Sequence, residues 1–394
     1  MPSLPLHSRS APARSPSRLK AILGLLALAA LGLLSLVAGC LNIGPIRIGY
    51  SGPITGRWAD MGVQGRNGAT LAVEDLNARG GVAGRRLELV VADEKDGPEG
   101  AQAAARFLEA KGVAVVVGFM TSTAALAGLP VAAEAGLCVV SPSASTTRLT
   151  GLEDAFFRVI PDVAAYARFQ AEGMIKRHPG CRVLVVHDQG NAAFAEPYAV
   201  AFAKRLVELG GTMAGAVALV PGQMPDGPAL WARVRAADAG AVLGLLPART
   251  LARLAQEMRS NAPGLPIFAA MWGFNAEFLE MAGPSAEGVA SCLIYPFSSA
   301  SPPLAAFNAR YHERFGYVAS SGALLAYEAT LAAAQGLELT GGRRAGLEKA
   351  LAGLKKIPGI CGDIALDSFG DVLRPLYWAE VRGGSIHAFE ERHD

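Results

Sequence analysis

Charge of either sign is scarce and balanced in this chain: 36 Lys and Arg stand against 34 Asp and Glu, and only 18% of the residues carry charge. No basic block is present to neutralise a phosphate backbone, so nothing in the composition points to nucleic acid as a partner. Cysteine is rarer still. Cys40, Cys138, Cys181, Cys292 and Cys361 are scattered without the short spacings that hold a metal, and the histidines lie singly. Enzyme signatures are missing as well: there is no G-x-S-x-G elbow, no G-x-x-x-x-G-K-[ST] phosphate loop and no H-E-x-x-H helix. His187-Asp188 closes an apolar run, where such a pair reads as a structural or hinge feature before it reads as an acid–base couple. The reading is of a protein that is not an enzyme and uses neither cofactor nor metal.

Long apolar runs are absent everywhere but at the start. Met1 to Lys20 carries Arg9, Arg14, Arg18 and Lys20 with no acidic residue, and Ala21 to Val37 is then apolar apart from glycines and Ser35. This layout predicts a signal peptide over 1–39. The run ends in Leu36-Val37-Ala38-Gly39-Cys40, the small-residue approach to a cysteine that bacterial lipoprotein processing requires, so Cys40 is expected to become a lipidated amino terminus. An uncleaved anchor is the competing reading, since the run approaches spanning length. Either way the remainder lies outside the cytoplasm, because the basic flank stays inside. Removing 39 of 394 residues leaves 355, with 32 basic and 34 acidic side chains, a length suited to two lobes. The expected molecule is an exported body tethered by lipid to the cell envelope, in the periplasm or on the outer membrane face. Cys138, Cys181, Cys292 and Cys361 read as buried free thiols, with their pairing left open.

What the body contains is an alternation. Short β-branched runs trade places with helix-period segments, the rhythm of βαβ units around parallel sheets. Strands are predicted at Ile46 to Tyr50, Arg86 to Asp93, Val113 to Gly118 and Cys138 to Val140. A second series runs through Arg182 to His187, Thr212 to Leu219, Ala241 to Leu245, Pro266 to Ala269 and Gly288 to Cys292. Helices are predicted at Val63 to Asn77, Pro98 to Lys111, Ser122 to Glu134, Ala195 to Leu209 and Arg249 to Ser260. Tyr295 to Pro303 reads as a linker, and three more helical segments follow it, ending near Lys356. The fold class is α/β, with two doubly wound sheets.

Open α/β sheets place ligands beyond the carboxyl ends of their strands, and two loops there are rich in small hydroxyl residues. Phe119-Met120-Thr121-Ser122-Thr123 opens a helix whose free N–H groups and positive dipole end suit an anion, and Ser141-Pro142-Ser143-Ala144-Ser145-Thr146-Thr147 follows the next strand. Helix capping explains either loop alone. Together on adjacent strands they predict a carboxylate cradle.

The order of motifs then becomes specific. Ile46-Arg47-Ile48-Gly49-Tyr50-Ser51-Gly52-Pro53, Asp75-Leu76-Asn77-Ala78-Arg79-Gly80-Gly81-Val82-Ala83-Gly84-Arg85, Ser141-Pro142-Ser143-Ala144-Ser145, Phe156-Phe157-Arg158, Ser285-Ala286-Glu287-Gly288 and Asp367-Ser368-Phe369-Gly370-Asp371 resemble the type I periplasmic solute-binding proteins for leucine, isoleucine and valine. The likeness covers nearly the whole chain after the leader. It implies two Rossmann-like lobes, residues 45–158 with 299–374 and residues 159–295 with 375–394. Three crossovers would join them, near Arg158 to Pro161, Pro296 to Ser299 and Pro375 to Ala379. It implies a monomeric receptor of an ABC uptake system that closes on an amino acid or related carboxylate and presents it to a membrane permease. By the same resemblance Ser122, Ser143 and Ser145 match positions that hold the ligand's carboxylate and ammonium, while Met61, with Trp58 nearby, and Phe194 stand where the family often has aromatic residues.

One departure is chemical. Branched-chain members place an acid after the Pro266-Ile267-Phe268 strand to meet the ligand's ammonium, and here Trp272 stands there. Desolvating an ammonium without an anion costs several kcal/mol, of which a ring face returns about 2 kcal/mol. Either the ammonium is met differently or the ligand lacks one. The alternative function is a sensor of small aromatic acids or amides that reports to a signalling partner.

Overall fold

The β-branched runs form parallel strands, and the central ones are buried on both faces between helices. The computed structural model describes residues 44–221, 226–295 and 301–389. The leader with Cys40, the crossover expected at 296–299 and the final residues 390–394 lie outside the described residues. The first sheet holds β1 (Ile46–Gly52), β2 (Leu87–Asp93), β3 (Val115–Val117), β4 (Val139–Ser141) and β5 (Phe156–Arg158), in the order β2-β1-β3-β4-β5, all parallel. Its register sets Ile48 against Leu89 and Val115, and Val117 against Val140. Ile48, Val115, Val117 and Val140 are fully buried, each worth about 1.5–3 kcal/mol relative to exposure.

Helices α1 (Ala59–Ala78), α2 (Pro98–Ala110) and α3 (Ser122–Glu134) connect these strands. The chain then crosses through Val159 to Asp162 into α4 (Val163–Arg177), where the Asp162 side chain accepts from the Ala165 N–H and caps the helix. The second sheet holds β6 (Arg182–Asp188), β7 (Thr212–Leu219), β8 (Ala241–Leu245), β9 (Ile267–Ala269), β10 (Ala290–Leu293), β11 (Tyr377–Arg382) and β12 (Ser385–Phe389), ordered β12-β11-β10-β9-β8-β6-β7. Helices α5 (Ala192–Glu208), α6 (Gly227–Ala236), α7 (Ala248–Asn261) and α8 (Ala276–Ala282) lie between them. Helices α9 (Pro302–Phe315), α10 (Ser321–Leu339) and α11 (Leu347–Ala352) return to the first lobe, where α10 packs along α1. Gly68 makes that approach feasible, because a Cβ there would lie 1.9 Å from the Ala323 carbonyl oxygen.

Two elements differ from the sequence expectation. The crossover read at Pro375 to Ala379 ends sooner, because β11 begins at Tyr377 and pairs antiparallel with β10. Its partner β12 follows a two-residue Gly383-Gly384 turn, the Gly-Gly signature of a tight hairpin. The three-residue β5, read only as a family-like motif, ends on Arg158, where the expected crossover begins.

The first and third crossovers share one anchor. Arg374 donates to the Val159 carbonyl at 3.1 Å and pairs at 2.5 Å with Glu328 of α10, both side chains almost wholly buried. The neighbouring Arg158, also buried, pairs with Asp371 at 2.6 Å and donates to the Thr146 carbonyl. Removing one partner of such a pair strands a buried charge, at about 3–5 kcal/mol. Among the described residues no helix is long and apolar enough to cross a membrane. The four cysteines beyond Cys40 are free, Cys138 and Cys292 buried, Cys181 and Cys361 partly so.

Candidate functional site

Each sheet has a point where successive connections diverge to opposite faces, between β1 and β3 in the first and between β6 and β8 in the second. Loops leaving the strands' carboxyl ends part there and open a crevice. A cavity of about 60 Å³ lies between the two crevices, room for a few water-sized groups. The first lobe lines it with Trp58 and Met61 at the start of α1, Met120 after β3, and Ser143 and Ser145 after β4. Asn191 and Phe194 at the start of α5, Met271 and Trp272 after β9, and Cys292 in β10 come from the second.

Six of the seven predicted ligand contacts, Trp58, Met61, Ser143, Ser145, Phe194 and Trp272, thus line one cavity. Ser122 is not among the lining residues. Its hydroxyl oxygen, buried, accepts the N–H groups of Ser145 at 3.3 Å and Thr146 at 3.2 Å. Its place is under the loop, which it holds in position. The Ser143 hydroxyl is also engaged, donating to the Met120 carbonyl at 2.6 Å, and Ser141 below it donates to the Phe119 carbonyl while accepting from Ala144 N–H. The amino end of α3, expected to offer free N–H groups to an anion, is partly taken. Thr121 caps Ala124 N–H, and Asn191 accepts both the N–H and the hydroxyl of Thr123 from across the cleft.

The second wall is aromatic. Trp272 meets Trp58 across the cleft with ring centroids 4.8 Å apart, Phe194 edge-on at 6.0 Å, and Phe194 in turn meets Tyr198 at 5.5 Å. Such contacts add about 0.5–1.5 kcal/mol each beyond area burial. At the mouth, Arg57 reaches Asp188 of the opposite lobe at 3.6 Å and stacks over Trp58 at 5.1 Å. Gly190 leaves the space it occupies, since a Cβ there would fall 1.8 Å from the guanidinium.

Asp60 is the residue that the sequence reading missed. It sits in the first turn of α1 and lines both the cavity and a second, outer pocket shared with Arg57, Asp188, Arg249 and Glu277. The residue keeps an exposed side, yet desolvation of its carboxyl in the mouth and the Glu277 carboxylate raise its pKa above the usual carboxylate range, against a hydrogen bond with Gln64 and the Arg249 charge. Among the described lining residues it is the one with a formal charge; no Lys, Arg or His faces the cavity. Tyr166, Asn275, Ser321 and Leu325 were also missed. Ser321 and Leu325 reach the site from α10, which follows the linker, so nothing in their local sequence marks them.

A two-lobed α/β body with a solute-sized cavity between the carboxyl ends of two parallel sheets is a binding-protein architecture. The model of the periplasmic binding protein family matches residues 45–385, and the chain belongs to that family. Leu/Ile/Val-binding protein homolog 3 of Brucella melitensis is 33% identical over 221 residues, which cover 54% of this chain and 59% of that protein. The matched segment thus spans under two thirds of that relative. The leucine binding protein LivK from Thermotoga maritima superposes with a TM-score of 0.80 at 22% identity, over 88% of this chain and 98% of that one. A solute binding protein from R. palustris, solved with benzoate, gives a TM-score of 0.80 at 19% identity over 88% and 95%. These two likenesses show the type I periplasmic binding protein fold.

Proposed function

We propose that this protein is the solute-binding receptor of an ABC uptake system, taking a hydrophobic amino acid or a closely related carboxylate between its lobes. The observation that carries the reading is the composition of the cavity: an apolar, aromatic body, a serine-lined wall on one side and a single carboxylate, Asp60, at the mouth. Ser145 orients the ligand's carboxylate, Ser143, its proton committed to the Met120 carbonyl, offers lone pairs to the ammonium, and Asp60 supplies the anion that Trp272 does not. The working step is closure. A ligand that touches both lobes favours the closed form by its differential affinity, and bending at the crossovers turns binding into a shape that a permease reads.

The lobes in this reading are 45–158 with 299–374 and 159–295 with 375–394, acting as a monomer. Export over the 1–39 leader and lipidation at Cys40 would place the body at the cell envelope. The Brucella relative's name supports an amino acid, whereas the benzoate-bound R. palustris structure supports the aromatic-acid sensor as the competing reading. Calorimetry on the exported protein with leucine, phenylalanine, their keto acids and benzoate separates the two. We expect the amino acids to bind and Asp60→Asn to weaken them tenfold or more while sparing the keto acids. Tight benzoate binding without amino-acid binding would overturn the assignment. Mass measurement of the same preparation finds an acyl group on the wild type and none on Cys40→Ser, if Cys40 is the anchor.

A further inference from the structure

The aromatic wall runs inward from the mouth. Trp58 and Trp272 stand at its outer end beside Arg57, then come Phe194 and Tyr198, and at the inner end Cys292 and Tyr166 meet, the Cys292 thiol 3.9 Å from the Tyr166 carbonyl oxygen. Tyr166 lies on the first turn of α4, which follows the crossover residues Ile160 to Asp162, and is 3% exposed. Its phenol oxygen is fully enclosed and finds no hydrogen-bond partner among the described residues. The neighbouring phenol is different: Tyr198 donates to the Gln170 side-chain oxygen at 3.1 Å and needs nothing further.

Buried polar side-chain atoms nearly always have a partner, and each orphan calls for a reason. Of the orphaned buried atoms described, two belong to residues that line the cavity, the Tyr166 hydroxyl and the Trp272 indole nitrogen. Both are hydrogen-bond donors, and an indole nitrogen can only donate. They sit at opposite ends of the ring series, so one ligand atom does not serve both.

We propose that Tyr166 is a specificity-determining residue for the ligand's distal end: its hydroxyl pairs with a lone-pair atom, an ether, hydroxyl or keto oxygen, carried far from the carboxylate. The inference rests on the proposed orientation, with the ligand's charged head at Asp60, Ser143 and Ser145. A purely aliphatic tail that fills the inner end leaves this donor buried and unpaired. A tail with an oxygen there satisfies it. The protein therefore selects against the hydrocarbon member of a matched pair, because a site built to meet a polar atom rejects the analogue lacking it far more strongly than a hydrophobic pocket rejects an added one.

The test uses two isosteric or near-isosteric pairs on the full exported protein: norleucine against O-methylhomoserine, and phenylalanine against tyrosine. Titration calorimetry on the wild type should show the oxygen-bearing member of at least one pair bound tenfold or more tightly. Tyr166→Phe should erase that preference while leaving the hydrocarbon member's affinity equal or better, a split that general loosening of the cavity does not produce. Equal binding of both members by the wild type, or a preference that survives in Tyr166→Phe, overturns the assignment of Tyr166 and leaves the receptor reading standing. Binding of none of the four overturns both.

Discussion

The two walls of the cavity solve their hydrogen bonding in opposite ways. On the first lobe the polar groups answer one another: Ser141, Ser143, Ser122 and Thr121 each bond to backbone of their own or the adjacent loop. On the second lobe the surface is rings, and the Tyr166 hydroxyl and Trp272 nitrogen are left over. The first wall is thus fixed before a ligand arrives and costs little to order, as preorganised sites do. The second is finished by what it binds. On the proposed orientation, the first lobe would fix the head of the ligand and the second would grade its tail.

The largest expected effect concerns what lies behind the first wall. Glu94 is 1% exposed, accepts the Met120 N–H at 3.3 Å, and desolvation pushes its carboxyl from 4.5 up to about 8, against hydrogen bonds from Ser51 and Met120. The folded protein holds this proton more tightly than the unfolded chain does. Stability should therefore fall as pH rises from about 4.5 to 8 and level off above, by at most about 5 kcal/mol. Urea denaturation of Glu94→Gln at pH 5, 6.5 and 8 should give a profile that lacks this fall. A wild-type profile that rises from pH 6.5 to 8 would show the first wall's backing to be ionised instead. On the second lobe His187 is shifted the other way, its pKa lowered by desolvation against the charges of Glu196 and Asp188. Its contribution is lost as pH falls below about 6.5. The two lobes then resist opposite ends of the pH range.

Next in size is the serine web. Ser122→Ala leaves the Ser145 and Thr146 N–H groups, which share this one acceptor, buried without it, and the protein should lose about 2–4 kcal/mol of stability. Ligand affinity should drop with it, because Ser145 moves. If affinity falls while urea stability is unchanged, Ser122 touches the ligand directly and the web is not what fixes the wall.

The smallest effect falls where the lobes meet. Arg57→Ala removes the pairing with Asp188 and the stacking over Trp58, about 1 kcal/mol for so partly exposed a pair. Stopped-flow release of a bound amino acid should quicken about threefold to fivefold, and high salt should mimic the substitution in the wild type but not in the variant. Gly190→Ala, which fills the guanidinium's seat, should behave like Arg57→Ala. Release unaffected by either change would mean that the lobes are held by the ligand and the rings alone.

Most strands were legible because βαβ segments announce themselves through local periodicity. Thr212–Leu219 and Ala241–Leu245 came out to the residue. Phe156–Arg158 did not, having been read only as part of a family-like motif at the edge of the crossover. The closing hairpin was overlooked although Gly383-Gly384 between two alternating runs is a hairpin signal. Of the site, the loop residues at strand ends were visible from topology. Asp60 and Tyr166 were not: each is unremarkable on its helix and acquires meaning only when the opposite lobe excludes water from it. Ser122 was located, and its hydroxyl oxygen holds the Ser145 and Thr146 N–H groups; a serine that serves a ligand and one that serves a loop look alike in sequence.

Arg374 ties the first crossover to the third through the Val159 carbonyl and is itself moored to Glu328 of α10. Two straps pinned to the same post do not slide independently. Any hinge motion between the lobes then has to carry both straps and α10 together.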